Sequence, residues 1–120
     1  MVHKNLEVWQ LSMELVTTLY EVTRVFPKDE IYGITSQIRR AAVSIPTNIS
    51  EGAARNHTKE YIQFLYIALG SASEVETLLQ ISRNLGYLTE TKEIENKLDS
   101  VRRLLAGLIK YLSSTRNLPQ

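Results

Sequence analysis

The chain has no cysteine, so it can form neither a disulfide nor a thiolate zinc site. That suits a reducing compartment, and the chain is read as cytoplasmic. Its two histidines, His3 and His57, lie far apart, and neither has a carboxylate or a histidine at ligand spacing on a shared helix face. No metal site is therefore expected. There is no Gly-rich phosphate loop, no P-loop and no G-x-G-x-x-G. No serine stands in a nucleophile-elbow context. Glu74 and Glu76 point different ways around a helix and make a poor acid–base dyad. The expectation is a protein that is not an enzyme, with no cofactor and no small-molecule substrate. No run of 18 apolar residues is present, and the opening "MVHKNLEVWQ" has no apolar core of a signal peptide, so no membrane partner is expected. The N-x-S match at Asn48 falls inside a helical stretch of a chain read as cytoplasmic and carries no weight.

What the sequence does hold is helical periodicity over nearly its whole length. Its 120 residues suit one domain, residues 1–120. The first helix is expected over about 6–26, with two rows at 3-4 spacing. One row is Leu6, Trp9, Met13, Val16 and Tyr20. The other is Val8, Ser12, Leu15, Leu19, Val22 and Phe26. Pro27 ends it, because the ring disfavours helical geometry in the residue before. The second helix is expected over 34–55, with Ile34, Ile38, Ala41, Ala42, Ile45, Ile49 and Gly52 on one face. Pro46 cannot donate to the Ala42 carbonyl, which predicts either a kink or a break into two helices. The apolar face keeps its phase across the proline, which favours the kink.

The third helix, 59–85, follows the "RNHT" connector with Asn56 or Thr58 as its N-cap. It carries two seams. Tyr61, Leu65, Ala68, Ala72, Val75 and Leu79 form one; Phe64, Ile67, Ser71, Glu74, Leu78, Ile81 and Leu85 form the other. Gly86 is placed to stop it. The fourth helix, 90–113, is expected after Thr89 as N-cap, with a core stripe of Ile94, Leu98, Val101, Leu105, Leu108 and Leu112. A loose tail follows. No strand pattern competes, so the fold class is all-α. Short connectors imply an antiparallel up-down-up-down four-helix bundle, its second helix kinked at Pro46.

The two middle helices have too little charge for a wet outer face. Between Tyr61 and Ser82 the only charged residues are Glu74 and Glu76. Opposite the core stripe of helix 2 lie Ser36, Val43, Thr47 and Ala54, with Arg40 and Glu51 nearby. Val43, Pro46, Thr47, Tyr66, Gly70 and Ser73 are therefore read as an interface between copies of the chain. An interface would crowd the two carboxylates, and an unpaired buried charge costs several kcal/mol. Arg39 and Arg40 sit at similar height, so a buried Arg40–Glu74 or Arg39–Glu76 pair is expected, within or between chains.

Net charge is +1, with the excess at the C-terminal end, where residues 83–120 carry seven bases against four acids. Arg39, Arg40, Arg55, His57 and Lys59 cluster near helix 2 and its exit. Arg102, Arg103, Lys110 and Arg116 decorate helix 4. Such arrays are what phosphate binding needs, and self-assembly would multiply them. The candidate nucleic-acid contacts are thus Arg39, Arg40, Arg55, Lys59, Arg102, Arg103 and Lys110.

The stretch "YGITSQIRRAAVSIPTNISEGAARNHTKEYIQFLYIALGSASEVETLLQISRNLGYL" resembles the four-helix bundle family encoded in intervening sequences of bacterial 23S rRNA genes, also labelled S23 ribosomal protein. It is similar as well to the accessory variability determinant of diversity-generating retroelements. The resemblance implies an antiparallel bundle assembled as a homopentamer, without catalysis. It further implies RNA or a reverse-transcriptase-type protein as partner. Two function classes follow: an RNA-associated oligomeric accessory protein, or an oligomeric protein-interaction scaffold with no nucleic-acid partner.

Overall fold

The computed structural model describes residues 3–116. Four helices account for most of them: α1 (Glu7–Val22), α2 (Ile34–Ala53), α3 (Thr58–Asn84) and α4 (Lys92–Arg116). No strand occurs among the described residues. The loose tail is expected from about residue 113, but α4 continues to Arg116; residues 117–120 lie outside the described residues, as does the side chain of Arg116.

Each helix packs on two others: α1 on α2 and α4, and α3 on α2 and α4. Contacts run in opposite order along neighbouring helices. Ser44 meets Ser71 while Gly52 meets Tyr61, and Arg83 meets Glu95 while Arg102 meets Glu76. The core between them comes from the expected stripes. Every member of the α2 stripe is buried, as is the whole first seam of α3. Ile94, Leu98, Val101, Leu105 and Leu112 close it from α4, joined by Ile109. Of the two α1 rows, the core takes Val8, Ser12, Leu15, Leu19 and Phe26; Met13 and Tyr20 of the other are exposed. Burying each large aliphatic side chain contributes about 1.5–3 kcal/mol, which is what orients the four amphipathic faces inward.

Helix ends depart slightly from the sequence reading. α1 stops at Val22 and tightens into a 3-10 turn, Thr23–Val25, before Pro27. The Thr23 hydroxyl donates to the Leu19 carbonyl at 2.7 Å and so helps close that last turn. α2 runs unbroken through Pro46, which excludes two separate helices. His57, rather than Asn56 or Thr58, occupies the cap of α3, and its side chain makes no cap bond. α4 starts two residues later than Thr89 would dictate; the Glu90 carboxylate accepts the Lys92 amide instead. Gly86 adopts φ +78°, and the bonds Gly86 N–H to Arg83 and Tyr87 N–H to Ser82 complete a Schellman turn.

Candidate functional site

The second seam of α3 splits. Ser71 and Leu78 are buried against α2, but Ile67, Glu74, Ile81 and Leu85 remain exposed. The reason is phase: at about 100° per residue, Ser71 and Leu78 lie roughly 20–80° around the helix from the other four. Together with Tyr66, Gly70 and Ser73 they make an outer face of low charge. Exposure is 57% at Tyr66, 52% at Ile67 and 40% at Ile81; Val43, on the outer side of α2, is 39% exposed. Thr47 is exposed on the same side of α2. Five of the six expected interface residues, Val43, Thr47, Tyr66, Gly70 and Ser73, therefore lie on the surface of one chain. Pro46 does not. It is buried inside the bundle, because one residue beyond Ile45 turns it toward α1.

The expected ion pairs are not formed within the chain. Glu76 is bound by Arg102 of α4 at 2.8 Å, not by Arg39. The phase of α3 turns Glu76 toward α4, while Arg39 leaves α2 on the α1 side. There its Nε–H donates to Thr23 Oγ1 at 2.9 Å and a terminal nitrogen to the Tyr20 carbonyl at 3.3 Å. The guanidinium also lies over the Tyr20 ring, 4.6 Å from its centroid. Nor is the Glu76 pair buried, since its carboxylate is 61% exposed against 25% for Arg102. The Arg102 hydrogen bond and charge hold the Glu76 carboxyl below the usual carboxylate range, and in turn raise Arg102. Arg40 and Glu74 are exposed, and neither makes an ion pair among the described residues. The Ser44–Ser71 contact sets the register that puts them level on the two rims of the α2–α3 face.

The candidate nucleic-acid residues do not converge on one surface. Arg55 is committed to Glu51 at 3.2 Å and stacks over Phe64. Arg102 is committed to Glu76, and Arg39 to α1. Lys59, Arg103 and Lys110 stay exposed without an ion pair among the described residues. The pairs Arg83–Glu95 and Arg102–Glu76 fix the α3–α4 register. They put Lys110 level with the Tyr66–Gly70 turn and Arg103 level with Ser73. Sequence reasoning did not give these heights, because they depend on the register of α4 against α3.

No group of three or more residues suited to hold a metal ion exists among the described residues, and no helix there is long and apolar enough to cross a membrane. Among the described residues, two side-chain atoms are buried without a partner, Thr35 Oγ1 and the Tyr61 hydroxyl, and burial pushes the latter's pKa up.

No curated protein matches this chain. Among solved structures it is similar to a protein of unknown function from the S23 ribosomal protein family of Bacteroides thetaiotaomicron VPI-5482. The two are 26% identical with a TM-score of 0.78, and the match covers 86% of this chain and 98% of the other. The family model described as 23S rRNA-intervening sequence protein matches residues 4–107. A match over that much of the sequence, on a fold with the same four helices, makes the chain a member of the 23S rRNA-intervening sequence protein family.

Proposed function

We propose that this protein is a non-enzymatic, cytoplasmic accessory protein that assembles with copies of itself through the outer α2–α3 face and associates with RNA. The exposure of Val43, Tyr66, Ile67 and Ile81 on the charge-poor outer faces of α2 and α3 carries the reading. Contiguous apolar surface of this kind marks interaction sites. Arg40 and Glu74, level and without an ion pair among the described residues, supply opposite charges for a second copy. A bend of α2 at Pro46, where the ring removes one helical hydrogen bond, would let the helix follow that contact. A ring of five is the assembly that the family resemblance implies. For RNA, the support is the family description together with Lys59, Arg103 and Lys110, exposed bases without an ion pair among the described residues, and the exposed ring of Tyr66 for stacking.

Native mass spectrometry at micromolar concentration tests the assembly, and a stable monomer would refute it. Electrophoretic mobility shift with a structured RNA tests the association. Binding should weaken with salt and fall on Arg103→Ala/Lys110→Ala. An oligomer that ignores RNA would establish the other reading, a protein-interaction scaffold. That reading draws on Arg55 and Arg102 being already paired with Glu51 and Glu76.

A further inference from the structure

We infer that the pocket between the end of α1 and the start of α2 is an oxyanion site that takes a phosphate group. The pocket, about 420 Å³, is lined by Thr23, Arg24, Phe26, Lys28, Ile31 and Arg39 among others. Three of these are cations, and no carboxylate lines it. None of the three makes an ion pair among the described residues. The acids nearest in sequence are engaged elsewhere or stand apart. Glu30 accepts the Tyr87 hydroxyl at 2.8 Å, and Asp29 acts on the same hydroxyl by charge. Glu21 is exposed on α1 and does not line the pocket.

Arg39 is the organising group. One edge of its guanidinium, formed by Nε and one terminal nitrogen, is spent on Thr23 Oγ1 and the Tyr20 carbonyl. Thr23 is itself buried and anchored to Leu19. The ring of Tyr20 supports the guanidinium plane. The arginine is thus held in place by groups that carry no negative charge, and its other edge keeps two parallel N–H donors free. That edge matches the paired oxygens of a phosphate or carboxylate. Arg24 and Lys28 add two more charges, which favours an anion near −2, such as a phosphate monoester at neutral pH, over a single carboxylate. Thr35, from the same wall, holds one of the two buried side-chain oxygens left without a partner among the described residues.

The phosphate could be free or belong to a nucleotide, and both are tested on the full chain. Inorganic phosphate, a nucleoside 5′-monophosphate and acetate are titrated at constant ionic strength while amide NMR shifts are followed. Phosphate should produce saturable shifts at Thr23, Lys28, Thr35 and Arg39, with acetate much weaker. Arg24→Ala/Lys28→Ala, both at exposed positions, should weaken phosphate binding by about tenfold without moving the melting temperature. Arg39→Lys, which keeps the charge but loses the paired donors, should weaken it as well. Tighter binding of the monophosphate would assign the ligand to nucleotides, with Ile31 against the sugar or base; equal binding would assign a free oxyanion. Non-saturating shifts, equal response to acetate, or variants that bind like the parent would overturn the proposal. None of these outcomes depends on the α2–α3 face or on RNA binding to α3 and α4.

Discussion

At Gly52 a Cβ would fall 2.9 Å from Phe64 Cβ and from the Tyr61 ring, and 3.2 Å from the Tyr61 carbonyl oxygen. The missing side chain is what lets the end of α2 lie against the start of α3. Gly52→Ala gains helix propensity yet must push backbone aside, so it should destabilise the fold by about 1–3 kcal/mol in chemical denaturation. Charge can be read at the same scale. Arg102 holds Glu76 more acidic in the folded than in the unfolded chain. Its contribution is therefore present above the unfolded carboxyl pKa and is lost as pH falls through the folded one. Glu76→Gln should narrow the drop in melting temperature between neutral and acidic buffer. An unchanged acid limb would mean that the Arg102 contact contributes nothing in solution. Tyr87 works in the opposite direction. The Glu30 hydrogen bond raises its pKa, so that contribution is lost only as pH rises through the folded value.

Among the elements, the α3–α4 turn has the most specific backbone requirement. Gly86 sits at φ +78° with its Schellman bonds made, and Tyr87 packs on Phe26 with ring centroids 5.4 Å apart. Gly86→Ala should cost about 1–2 kcal/mol from the left-handed backbone alone, although the site has open space for the methyl group. Gly107, in mid-α4 with equally open surroundings, should respond in the opposite sense, gaining roughly 1 kcal/mol on replacement by alanine. Thermal melts of the two variants would separate backbone geometry from space filling. The start of α4 shows why helix starts are harder to read than helix ends. Thr89 and Thr91 are equally good caps by residue type, and the choice fell to the packing that buries Thr91.

For the whole molecule, the decisive question is what covers the outer α2–α3 face. Gly70 lies on that face in mid-α3, and a Cβ added there would meet no atom within 4 Å. Gly70→Ala should therefore raise the stability of the single chain by roughly 1 kcal/mol through helix propensity. If a second copy approaches there, the same change should weaken assembly. Opposite signs in denaturation and in native mass spectrometry are the expected result. Ile67→Glu, on the exposed part of the second seam, should abolish assembly while leaving the helical circular dichroism intact. Loss of helicity would mean that Ile67 belongs to the core.

The sequence by itself determined the four helices, their core stripes and the stop at Gly86, because periodicity, proline and glycine act locally. It also marked α2 and α3 as short of charge, a matter of composition. Only the tertiary structure decided which partner each charged side chain found. Arg39 went to Thr23, Glu76 went to Arg102, and Pro46 turned inward, while Arg40 and Glu74 have no ion pair among the described residues. Spacing along one helix gives the direction of a side chain around that helix, but the rotation of each helix against its neighbours is set by close packing of the shared core.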